Sequence, residues 1–151
     1  MSFYARITGE INYADQSRLD AAVNRLIEDG WLRVADKKFV DEDDEVGTSE
    51  SDVDGLCLHI PLGLYRNLTR ALDDLVKGCV SAHIVWTSTD GCFCGGVYEG
   101  EKETNYDLDK WAKENLKPED QMPPDSKTDF DAYCEWMEMV EEEFFSAYGH
   151  P

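Results

Sequence analysis

Two thiols lie two apart in Cys92-Phe93-Cys94, and His83 precedes them on a neighbouring apolar segment. Residues two apart on a strand share a face, so one metal could in principle meet Cys92, Cys94 and His83. Structural zinc sites carry two separated ligand pairs, however, and this run lacks the second. Nor is it a CxxC at a helix N-terminus, where the dipole lowers a thiol pKa. Acids at alternate positions from Asp41 to Asp52 imitate a calcium loop. That reading fails because Val46 stands where the sharp turn needs Gly, and Asp52 stands where a bidentate Glu closes the shell. Gly9, Gly95 and Gly96 make no phosphate-binding loop, and no nucleophile elbow accompanies His59, His83 or His150. The expectation is a chain with no metal, no cofactor and no enzymatic activity.

Period-two alternation offers one alternative. It places Tyr4 and Arg6 on the wet side of a first strand, Cys57 and His59 on the same side of a later one, and His83 on the next. Tyr4, Arg6, Cys57, His59 and His83 are therefore the candidate small-ligand or catalytic set, in which a cysteine nucleophile would need a histidine base at hand. An RNA-binding sheet would show paired aromatics and basic flanks on that face, and only Tyr4 and Arg6 qualify.

Charge is the stronger signal. Over 151 residues, 33 acids face 14 Lys and Arg, a formal net charge of -19. Residues 39 to 54 hold eight acids and no base, and residues 128 to 151 hold seven acids and no Lys or Arg, so fifteen excess charges sit in two places. Such a surface repels nucleic acid phosphates and anionic lipid and favours a basic protein or nucleoprotein complex. Carboxylates spaced along a helix can stand in for phosphates and steer association. The candidate contacts are Asp41, Glu42, Asp43, Asp44 and Glu45 in the loop, with Asp129, Asp131, Glu135, Glu138, Glu141, Glu142 and Glu143 on the helix, where Trp136 offers an aromatic anchor. The expected function is occlusion of a basic, nucleic-acid-binding site on a partner. Small acidic chains without catalytic motifs are typical of phage-encoded inhibitors of bacterial defence, such as anti-CRISPR or anti-restriction proteins, and of immunity proteins that neutralise nuclease toxins. The likeness is one of charge and size. Five cysteines without framework spacing suit reduced thiols, and no apolar run has the length of a membrane span or the form of a signal peptide. A cytoplasmic location is expected, with a homodimer through the sheet face as the companion of the ligand-binding alternative.

The elements that must position these residues follow from periodicity. Residues 3–13 alternate as a strand, and Leu19, Ala22, Val23, Leu26 and Ile27 recur as a helix stopped at Asp29-Gly30. Residues 31–40 read as a second strand, and 56–60 as a third that Pro61 breaks. A helical stripe runs from Leu64 to Val76, and two strands flank Ser88-Thr89-Asp90-Gly91. A short helix falls within 106–116, and Thr128 with Asp131 forms a capping box for a last helix. This predicts an α+β fold: a ferredoxin-like βαββαβ sandwich over residues 1–116 with an extra hairpin strand, a Pro-containing linker over 117–127, and an acidic amphipathic helix over 128–151 packed on the same domain. The stripe of that helix is expected to cover part of the open sheet face.

Overall fold

A computed structural model describes residues 3–35, 37–40, 51–90 and 92–149. The elements run β1 (Tyr4–Asn12), α1 (Gln16–Glu28), β2 (Val53–Asp54), β3 (Cys57–Arg66), α2 (Thr69–Val76), β4 (Ser81–Ser88), β5 (Cys94–Glu99), β6 (Lys102–Asp107), α3 (Leu108–Asn115), a 3-10 turn (Pro118–Asp120) and α4 (Phe130–Tyr148). The fold is mixed α+β, with one open six-stranded sheet ordered β2-β3-β1-β4-β5-β6 and every neighbouring pair antiparallel. No helix among the described residues is long and apolar enough to cross a membrane.

Two cores flank the sheet. Ala5, Ile7 and Ile11 of β1, Leu58 and Ile60 of β3, and Ala82, Ile84 and Trp86 of β4 pack against Leu19, Val23 and Leu26 of α1 and Leu72 and Leu75 of α2. On the opposite face, Val85 and Val97 meet Leu108, Trp111 and Ala112 of α3 and Trp136, Val140 and Phe144 of α4. Apolar residues on both sides of β4 follow from helices on both faces. Asp15 caps α1 by accepting from the Arg18 amide, and Gly30 ends it at φ 86°. The Asp129 side chain accepts from the Ala132 amide and caps α4, so Asp129 takes the place expected of Thr128.

Three elements differ from the sequence reading. The described residues of 31–40 form no strand. A left-handed Lys37 (φ 53°) turns the segment back on itself, the Arg33 amide donates to the Lys38 carbonyl, and one bridge, Leu32 to Phe39, remains. Leu32 and Phe39 are still buried in the core, with Trp31 packed against it, while the edge beside β3 goes to β2. Pro61 does not end β3. The β1–β3 register passes from Gly9 opposite Ile60 to Ile7 opposite Gly63, leaving two residues of β3 against one of β1. A bulge is where a strand tolerates a residue with no N–H. Leu64 and Tyr65 are consequently strand, and α2 starts only after Asn67, whose φ of 61° and two hydrogen bonds with the Phe3 backbone fix the turn. Finally, Lys102–Asp107 adds β6, unexpected from a segment so polar.

Candidate functional site

The last helix carries most of the described candidate contacts. Asp129, Asp131, Glu135, Glu138, Glu142 and Glu143 are exposed. At 3.6 residues per turn, Asp131, Glu135, Glu138 and Glu142 fall within about 60° of one another, opposite Val140 and Phe144. The inner face is locked by a ring cluster: Phe144 lies 5.3 Å from Tyr106, 5.3 Å from Trp111 and 4.9 Å from Tyr148. The acidic row is thus mounted on a packed helix. Asp41, Glu42, Asp43, Asp44 and Glu45 lie outside the described residues.

Two members of the expected set turn inward. Trp136 is 7% exposed, and its indole donates to the Asp120 carbonyl at 2.8 Å, fastening the 3-10 turn to α4. It packs on Phe93 and Tyr133 and offers no free anchor. Glu141 is 6% exposed, accepts a hydrogen bond from the Thr87 hydroxyl and lies 3.9 Å from the Arg6 guanidinium. Burial pushes its carboxyl above the usual range, and the Thr87 and Arg6 contacts pull the other way. Helical phase carried that signal, since Glu141 stands four residues after Met137 and four before Phe145 on the stripe.

Glu141 forms one wall of a cleft of about 500 Å³ between the sheet and α4, lined also by Tyr4, Arg6, Thr87, Asp90 and Met137. A second cleft of about 300 Å³ shares Arg6, Glu138 and Glu141 and adds Leu62 and Phe145. The alternative ligand set is divided. Tyr4 and Arg6 line the larger cleft, while Cys57 and His59 sit near the other end of β1, where Glu10 pairs with His59 and Asn12 with Cys57. Four residues of strand separate Arg6 from Glu10, about 13 Å. His83, opposite Glu10 on β4, holds the Tyr148 carbonyl through its ring Nε2. Glu10 is the residue the sequence reading missed, because its place beside His59 depends on the β1–β3 register. Burial, and after it the carboxylates of Glu10 and Asp54, pushes the Cys57 thiol up.

Cys92 and Cys94 do not join His83. Cys94 pairs with Ser88 and Glu99 with His83, which sets the histidine five residues away along the ladder, about 17 Å. Burial, then Cys92, pushes the Cys94 thiol up to about 12, so it is protonated and poorly nucleophilic at neutral pH. Comparison with protein-family models, with curated proteins and with solved structures gives no match, so the function is argued from these residues alone.

Proposed function

We propose that this chain is an acidic, non-enzymatic binding protein that occludes a basic, nucleic-acid-binding site on a protein partner, in the manner of phage anti-defence or toxin-immunity proteins. The observation that carries the reading is the row Asp131, Glu135, Glu138 and Glu142 on a helix whose opposite side is buried. Like charges at i,i+3 and i,i+4 cost roughly 0.2–0.5 kcal/mol per pair. Glu142 and Glu143 also lie in the last two turns, where the helix dipole favours cations, and no basic residue occupies the last turn. A helix built only for its own stability would place these carboxylates otherwise. A rigid row loses little entropy on docking, which suits tight occlusion. A cytoplasmic location accords with reduced thiols and with such a partner.

The same reading treats the block β4-β1-β3-β2 as a ferredoxin-like sandwich carrying β5, β6, α3 and α4 as additions. Its support is that α1 and α2 each join two strands flanking a third, all pairs antiparallel. Pull-down of the tagged chain from a bacterial lysate at low salt tests the function. A basic nucleic-acid-processing protein should be captured by the wild type and by Arg6→Ala, released by duplex DNA, and lost with Glu135→Lys/Glu138→Lys/Glu142→Lys. Capture that survives the charge reversal overturns the reading.

The cleft at Arg6 and Glu141 favours one second reading, a small-ligand site shared between the sheet and α4. It predicts the reverse pattern, with function lost in Arg6→Ala and kept in the triple lysine variant.

A further inference from the structure

On the sheet face opposite α1 and α2, the β1–β3 ladder brings a carboxylate, a thiolate precursor and an imidazole together. Ile11, Leu58 and Ile60 point into the core, so their alternate neighbours Glu10, Cys57 and His59 share the outer face. Glu10 stands directly opposite His59, and Cys57 lies two residues before His59 on the same strand. The Cys57 Sγ is 3.6 Å from His59 Nε2 and 3.9 Å from Glu10 Oε2, and His59 Nδ1 is 3.7 Å from Glu10 Oε2. One donor atom from each residue lies within 4.8 Å of the other two.

An ion takes only one ring nitrogen, so the 3.7 Å approach of Nδ1 to Glu10 is a separate contact from the 3.6 Å approach of Nε2 to Cys57; the two edges at Sγ, 3.6 Å and 3.9 Å, are near those of a coordination tetrahedron, and the third stays within 4.8 Å. With metal–sulfur bonds near 2.3 Å and metal–nitrogen or metal–oxygen bonds near 2.0–2.2 Å, tetrahedral ligand atoms sit about 3.3–3.6 Å apart. Small rotations close the difference, and both the histidine and glutamate side chains are free to make them, being 49% and 42% exposed. From this geometry we propose that Glu10, Cys57 and His59 form a binding site for a borderline-soft divalent cation of the Zn²⁺ class. One sulfur, one nitrogen and one oxygen suit Zn²⁺, whereas Ca²⁺ and Mg²⁺ require oxygen shells. The site draws on two strands, so the ion clips β3 to β1 at the end where the sheet continues only as the two-residue β2. The fourth position faces solvent and takes a water. His83 flanks Glu10 on the far side but holds the Tyr148 carbonyl, so it is not among the ligands.

The test uses the full chain carrying Cys92→Ser and Cys94→Ser, stripped of metal, so that the CxC thiols cannot contribute. Zn²⁺ is titrated in competition with a chromophoric chelator, and Co²⁺ is added separately to read thiolate-to-metal charge transfer in the near ultraviolet. The expected result is one Zn²⁺ per chain, a Co²⁺ charge-transfer band and a Tm that rises with Zn²⁺. Cys57→Ser should abolish the band. His59→Ala should weaken Zn²⁺ binding by at least the roughly 10–100-fold that loss of a supporting contact to a ligand costs. All three side chains lie on the outer face, and far-UV circular dichroism checks that each variant is folded. A folded background protein with no band overturns the proposal, as does a band that persists in Cys57→Ser. Zn²⁺ binding lost instead in Glu135→Lys/Glu138→Lys/Glu142→Lys overturns it too, since the ion would then belong to α4.

Discussion

Glu141 opens a run of three glutamates, yet its surroundings differ from those of the two that follow it. Glu142 and Glu143 face water, while Glu141 is held under α4 by Thr87 and Arg6. Because burial raises its pKa above the value in the unfolded chain, the folded state keeps that proton longer. The stability this contributes is whole below the ordinary carboxylate range and is lost as pH rises through the raised value. Glu141→Gln still offers Thr87 an acceptor and has no charge to desolvate. Its stability relative to wild type should therefore grow as pH rises through and above the ordinary carboxylate range, measured by urea unfolding, and a flat difference would contradict the assigned perturbation. Residue chemistry was only partly legible in the sequence. The exposed acids of α4 follow from helical phase alone, but the neighbours of Glu10 depend on strand register, and Trp136 is hidden by a turn some sixteen residues away in the chain.

Elements built from local periodicity were the ones the sequence disclosed: β1, α1, the β4–β5 pair and α4. Those set by a partner were not. Pro61 stays inside β3 because it lies in a bulge of that strand, where two residues face one of β1, and the described residues of 31–40 fold back because Lys37 adopts a positive φ that its residue type does not announce. Strand β6, Lys-Glu-Thr-Asn-Tyr-Asp, has too little apolar alternation to be seen. Two predictions belong at this scale. A Cβ at Gly9 would lie 2.3 Å from the His83 carbonyl oxygen and 2.6 Å from the Ile84 Cα, and backbone cannot yield without opening the β1–β4 ladder. Gly9→Ala should thus destabilise by at least the roughly 1–3 kcal/mol of overpacking, read by urea denaturation; a neutral substitution would mean that the two strands can separate freely. Phe144 is fully buried at the centre of the ring cluster under α4. Phe144→Ala should cost about 3–5 kcal/mol, and by loosening α4 it should weaken partner capture although no charge has changed.

At the scale of the whole molecule, the net charge of -19 is not spread evenly, and the part of it on α4 rests on a packed support. The proposed partner class rests on that distribution. Charges of one sign on a rigid ridge bring a basic partner in quickly and leave it sensitive to screening. Apolar anchoring through Trp136, by contrast, is not available, so in the proposed contact electrostatics would carry more than the sequence suggested. The measurement that tests this most directly is the affinity of the chain for its captured partner as salt is raised from about 0.01 M to about 1 M, across which the screening length falls from about 30 Å to about 3 Å. It is run on the wild type and on Glu135→Lys/Glu138→Lys/Glu142→Lys. The account predicts a steep loss of wild-type affinity with salt and weak, nearly salt-independent binding by the variant. Equal affinity and equal slope for the two chains would contradict the claim that the α4 ridge makes the contact.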